Sequence, residues 1–158
     1  MSGVKITVKF SNGRADVKTT DKNGQVKFST NGLVPIKTYS ATLSFAGNAN
    51  YTKSAKTVSV KVNKAYPKLI VPNKAFKRSL KTKTYTVTLK TNQNKVMKNK
   101  WVILNVNKIY YKVKTNSKGQ ATFKITNLMG KGTFTAVVKY GGSKYYNVKY
   151  VKAKITVK

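Results

Sequence analysis

The chain has no cysteine and no histidine, and its only acidic residues are Asp16 and Asp21. Each absence removes a kind of chemistry. General acid–base catalysis relies on groups that titrate near the working pH, chiefly His, Glu and Asp. Hydrolysis of a sugar by paired carboxylates would have to use Asp16 and Asp21 alone. Zinc asks for thiolates, imidazoles or carboxylates, and calcium for several anionic oxygens. No metal and no cofactor is therefore expected. Lys, Tyr, Ser and Thr remain as conceivable nucleophiles or bases, and the expectation is a protein that is not an enzyme. Without cysteine there is no disulfide, which leaves the redox compartment open. Arginine is scarce too, at Arg14 and Arg78 only. No stretch approaches the roughly 18 apolar residues of a membrane span. Met1-Ser2-Gly3-Val4 does not read as a signal peptide, so any targeting segment is expected outside these residues.

What is present is basic, apolar and aromatic. Lys and Arg number 33 in 158 residues, for a formal charge of +31. Apolar residues make up 40% and aromatics 11%, enough for a packed core in one large or two small domains.

The chain also repeats itself. Thr20-Asp-Lys-Asn-Gly-Gln-Val-Lys-Phe28 matches Thr115-Asn-Ser-Lys-Gly-Gln-Ala-Thr-Phe123 at an offset of 95. Tyr39, Phe45, Gly47 and Tyr51 fall on Phe134, Tyr140, Gly142 and Tyr146 at the same offset. Six pairs on one offset without a gap define a repeat. Within it, Tyr39–Phe45 and Gly132–Tyr140 alternate apolar and polar residues as half-buried strands do. Lys22-Asn23-Gly24 and Ser117-Lys118-Gly119 are turn sequences, and Ala46-Gly47-Asn48 and Gly141-Gly142-Ser143 punctuate the chain in the same way. Thr57–Val62 and Ala153–Val157 alternate again and close each repeat. Helical periodicity is absent.

A boundary is expected near Asn63–Pro67, giving an incomplete unit, residues 1–64, and a complete unit, residues 65–158. In the second, strands are predicted at Lys68–Val71, Thr82–Thr91, Lys100–Val106, Tyr110–Lys114, Ala121–Thr126, Thr133–Tyr140 and Val148–Val157. Seven short strands with regular turns predict an all-β fold of tandem immunoglobulin-like β-sandwich domains. Val4–Val8 aligns with Val102–Val106, so the first unit begins at the third strand and lacks its first two. Two explanations stand: these residues begin inside a domain, or a strand from another copy fills the gap by β-augmentation.

The pattern Asp21, Gly24, Phe28, Tyr39, Phe45, Gly47, Asn48, Tyr51 resembles bacterial Ig-like (Big) repeats, especially those of adhesin-like surface proteins of methanogenic archaea. Asn116, Gly119, Phe123, Phe134, Tyr140, Gly142 and Tyr146 carry it again. The resemblance covers nearly the whole chain. It implies an extracellular, cell-surface adhesin or stalk module whose matching residues are scaffold. The few acids depart from such repeats and argue against calcium stiffening. Some surface Ig-like domains form Lys–Asn isopeptide bonds with a nearby acid. None is expected in the second unit, and in the first Asp21 reads as a turn former.

The lysines mostly alternate with apolar residues and read as solvated strand faces that also protect sheet edges. A field this positive attracts polyanions. Lys108, Tyr110, Tyr111, Lys112, Lys144, Tyr145, Lys149 and Tyr150 are the candidate contacts, where rings interleave with ammonium groups. In each Tyr-Tyr pair only one ring can face inward, while Tyr51 and Tyr146 read as core or loop braces. Trp101 is expected to plug the sandwich. The expected partner is acidic polysaccharide or cell-wall polymer, with self-association by strand donation to the first unit. The alternative is sequence-nonspecific nucleic-acid binding, which lysine-dominated charge permits and scarce arginine does not direct to particular bases.

Overall fold

Alternation sets the strands. Tyr85, Val87 and Leu89 are buried while the threonines between them face outward, the period of two that a pleated strand imposes. The computed structural model describes residues 1–158, all of them in strands, turns and irregular segments. The chain divides into two compact units, Met1–Asn63 and Lys64–Lys158.

The first unit contains β1 (Lys5–Phe10), β2 (Ala15–Thr19), β3 (Lys37–Phe45) and β4 (Ser54–Val62), in one antiparallel sheet ordered β2-β1-β3-β4. Val8, Phe10, Leu33, Tyr39 and Ala41 form its small core, with Phe28, Leu43, Val60 and Val62 packed half-buried against it.

The second unit contains β5 (Lys68–Ile70), β6 (Lys74–Phe76), β7 (Lys83–Lys90), β8 (Trp101–Val106), β9 (Ile109–Lys114), β10 (Gln120–Ile125), β11 (Gly132–Tyr140) and β12 (Lys149–Val157). A three-stranded sheet, β10-β7-β5, packs on a five-stranded one, β6-β12-β11-β8-β9. The chain crosses between sheets at β5–β6, β6–β7, β7–β8, β9–β10 and β10–β11, and β6 pairs in parallel with β12. This is an immunoglobulin-like sandwich. Its core joins Tyr85, Val87, Leu89, Phe123 and Ile125 of one sheet to Val102, Leu104, Val106, Val138 and Ile155 of the other.

Three details differ from the sequence reading. The short β6 was not expected, because its three residues follow Pro72 and gain their ladder only from distant β12. The alignment of Val8 with Val106 shifts by two. Val8 pairs with Leu43 as Leu104 pairs with Val138, and Phe10 pairs with Ala41 as Val106 does with Ala136. A shift of two keeps the same face inward, so the sequence pattern alone does not reveal it. Lys83 also departs from the solvated-lysine reading. It is fully buried, and its Nζ donates to the Leu80 carbonyl at 2.7 Å.

Candidate polyanion-binding face

The inward phase of β8 is Val102, Leu104 and Val106, all fully buried. Trp101, Ile103 and Asn105 must then point to the other side, onto the outer face of the five-stranded sheet. Trp101 is 49% exposed there and does not plug the sandwich. The expectation of a core tryptophan is corrected by one residue of phase. Both halves of β8 look apolar, and only Asn105 marks which half faces water.

Ladder register assembles the rest. Trp101 lies opposite Lys114, Ile103 opposite Lys112, and Asn105 opposite Tyr110 on β9. On the other side Ile103 lies opposite Lys139 and Asn105 opposite Val137 of β11. Lys139 in turn faces Tyr150, and Val137 faces Lys152, on β12. Residues directly opposite share a face. One row therefore runs Lys112, Ile103, Lys139, Tyr150, and a parallel row runs Tyr110, Asn105, Val137, Lys152. Four strands at ordinary spacing make each row about 15 Å wide.

Ammonium groups and rings meet on this face. Lys112 and Lys114 place Nζ 4.7 and 4.8 Å from the Trp101 ring centroid, and Lys139 lies 5.2 Å from that of Tyr150. Tyr110 is 70% exposed and Tyr150 57%. The second unit has 23 Lys and Arg and no acidic side chain, so no side-chain carboxylate within the unit neutralises these lysines. The arrangement offers flat apolar rings flanked by cations, which suits a ligand combining an apolar face with anionic substituents.

Of the eight residues singled out from sequence, Tyr110, Lys112 and Tyr150 share this face. Tyr111 turns inward, as the pairing rule required of one member of Tyr110-Tyr111. Its hydroxyl donates to Asn127 Oδ1 at 2.7 Å and accepts from the Thr126 amide at 3.2 Å. Lys149 lies opposite buried Tyr140 at the end of the ladder, away from the outer face. Lys108 sits in the β8–β9 turn, where Asn107 and Lys108 both take positive φ, 48° and 64°. Lys144 and Tyr145 lie in the β11–β12 loop, their ammonium and ring 5.6 Å apart. Tyr145 is exposed and Tyr146 packs against the core. Tyr51 does not: it is exposed. Its counterpart Tyr146 lines a recess with Val96–Lys100. Trp101, Lys114, Lys139 and Lys152 were missed because only cross-strand register brings them together.

No three His, Cys, Asp or Glu side chains gather as a metal-binding group, and no helix is long and apolar enough to cross a membrane.

The fold of the second unit is immunoglobulin-like. No family model matches it, and no curated protein matches either. Among solved structures it is similar to a tetra-tandem repeat from the extending region of a large adhesion protein. That match has 14% identity and a TM-score of 0.48, over 99% of this chain and 42% of the other. It is also similar to a Ca2+-stabilised, ice-binding adhesin of an Antarctic bacterium, with 16% identity, a TM-score of 0.40, and coverage of 100% and 41%. Invasin, a bacterial integrin-binding protein, matches with 18% identity and a TM-score of 0.40, over 100% of this chain and 33% of invasin. The chain thus spans less than half the length of each.

Proposed function

We propose that this chain is a non-enzymatic repeat module of a cell-surface adhesin or stalk, and that the outer face of β9-β8-β11-β12 binds acidic polysaccharide or cell-wall polymer. The observation that carries the reading is the set of exposed rings, Trp101 and Tyr150, with three lysine ammonium groups within 5.2 Å of their centroids. A uronic-acid residue fits such a face. Its axial C–H groups lie on a ring while its carboxylate meets an ammonium, and both contacts strengthen as water is expelled. A field built from lysine gives affinity without fixed geometry, and the rings supply the selectivity.

The test is a salt titration of binding to an acidic cell-wall polysaccharide and to duplex DNA, with Trp101→Ala and Lys139→Ala beside the parent chain. Glycan binding should persist at salt that has released DNA, and Trp101→Ala should weaken it about tenfold. Equal affinities that collapse together would mean generic charge and overturn the dedicated face. Tight, salt-resistant DNA binding would replace the surface reading with the nucleic-acid one.

A further inference from the structure

Lys144 and Tyr145 stand apart from the outer face, in the β11–β12 loop. That loop and the β7–β8 loop enclose an open recess of about 470 Å³ at one end of the second sandwich. Val96, Lys98, Lys100, Ser143, Tyr145 and Tyr146 line it, and all of them belong to the second unit. The volume falls within the range of small-ligand sites.

Both walls are fixed by hydrogen bonds to the backbone. The hydroxyl of buried Thr115 donates to the Met97 carbonyl at 2.6 Å and accepts from the Lys100 amide at 2.9 Å. The Asn99 amide donates to the Thr115 carbonyl at 2.9 Å. Met97 is buried, while Val96 and Lys98 on either side of it are exposed. On the facing wall, Ser143 Oγ accepts from the amides of Tyr145 and Tyr146, each at 3.3 Å. The Ser143 amide donates to the Tyr146 carbonyl at 2.9 Å, and the Ala65 amide donates to that of Tyr145 at 3.0 Å. Tyr146 packs on the core, whereas Tyr145 is exposed. Walls held in this way lose little freedom when a ligand arrives.

The polar side chains of the recess are uncommitted. The ammonium groups of Lys98 and Lys100 and the side-chain amide of Asn99 have no partner within the chain. The second unit has no acidic side chain to compete for them. A third ammonium, that of Lys144, lies 5.6 Å from the Tyr145 ring centroid. We propose that the recess binds one acidic sugar, a free or chain-terminal uronic acid. The sugar lays its C–H face on the Tyr145 ring, and its carboxylate meets Lys98 and Lys100. Its hydroxyls bond the Asn99 amide and the Ser143 hydroxyl. A neutral sugar would leave the ammonium groups without an anion. An apolar carboxylate would leave the amide and the hydroxyl without partners. The inference does not depend on the outer face, since the recess shares no residue with it.

The experiment titrates sodium glucuronate into the full chain at constant ionic strength and follows backbone amide shifts, with glucose and benzoate as comparison ligands. The expected result is saturable one-to-one binding that moves Val96–Lys100 and Ser143–Tyr146. Glucose and benzoate should each bind about tenfold more weakly, since each lacks one class of contact. Tyr145→Ala, and separately the pair Lys98→Gln and Lys100→Gln, should weaken glucuronate about fivefold or more. These three side chains are exposed, so the variants should melt as the parent does. Lys124→Gln, which removes a charge from the other sheet, should leave binding unchanged. Absence of saturable shifts overturns the proposal, as do shifts confined to Lys139 and Tyr150 of the outer face. Benzoate that binds as tightly as glucuronate overturns it in favour of an apolar-anion site. Glucose that binds as tightly overturns the role of the lysines, and with it the acidic ligand.

Discussion

The Lys112 ammonium stands 4.7 Å from the centroid of the Trp101 ring, reached diagonally across the β8–β9 ladder, while Lys114 directly opposite lies at 4.8 Å. The large ring is thus sandwiched among cations at the surface and contributes little to the core. Trp101→Ala should change stability by no more than about 1 kcal/mol, the scale of an exposed cation–π contact. Leu104→Ala, from the same strand's buried phase, should cost about 2–5 kcal/mol. Thermal or denaturant unfolding of both variants decides it, and equal losses would return Trp101 to the core.

Tyr39 pins the corner of the first unit. Its hydroxyl donates to the Val34 carbonyl at 3.2 Å and accepts from the Val34 amide at 3.0 Å. Phe134 occupies the equivalent place in the second unit, where the Tyr111 hydroxyl serves the corner instead. Tyr39→Phe should therefore destabilise the first unit by about 1–2 kcal/mol, the net value of two hydrogen bonds. Amide exchange at Ala41 and Val60 should report the loss, and exchange at Val138 should not move.

Tyr140 carries a buried hydroxyl with no hydrogen-bond partner, and Phe45 fills the matching position of the other repeat. Burying an unpaired hydroxyl costs free energy that a phenyl ring does not. Tyr140→Phe is expected to raise stability by about 1 kcal/mol. A drop of that size in urea unfolding would mean that the hydroxyl has a bound partner.

Burial pushes the Tyr85 phenol up from 10.0 to about 12, and its hydroxyl also donates to the Pro72 carbonyl. The folded state thus holds this proton more tightly than the unfolded state. The associated stability is fully present below pH 10 and is lost as pH rises towards 12. At most it amounts to about 3 kcal/mol, by the usual conversion of pKa shift into free energy. Tyr85→Phe should remove this component of the alkaline stability loss, leaving whatever the lysines contribute. A variant whose stability falls as steeply as the parent's between those limits would show that Tyr85 ionises freely.

Much of the molecule was legible because it depends on local chemistry. The Asp21–Gly24 and Asn116–Gly119 turns follow from side chains that bond their own backbone two and four residues on, and from glycines with φ of 73°. The strands of the second unit follow from the period of two, which is how all but β6 were anticipated. Tyr110 was separated from Tyr111 only as one of a pair, since alternation forbids both from facing inward.

The sequence by itself determined that the protein is all-β, repeated at 95 residues, strongly basic, with only two acids and with none of the imidazoles and thiols that much catalysis and metal binding use. Tertiary structure decided the rest. Trp101, Lys112, Lys139 and Tyr150 are brought to one face by hydrogen-bonded register between strands far apart in the chain. Pairing of that kind leaves no mark in local periodicity. The same physics left Gln25–Thr30 without a ladder although its turn and its Phe28 repeat those of β10. A strand's propensity is written in its own residues, but its hydrogen bonds belong to its neighbour.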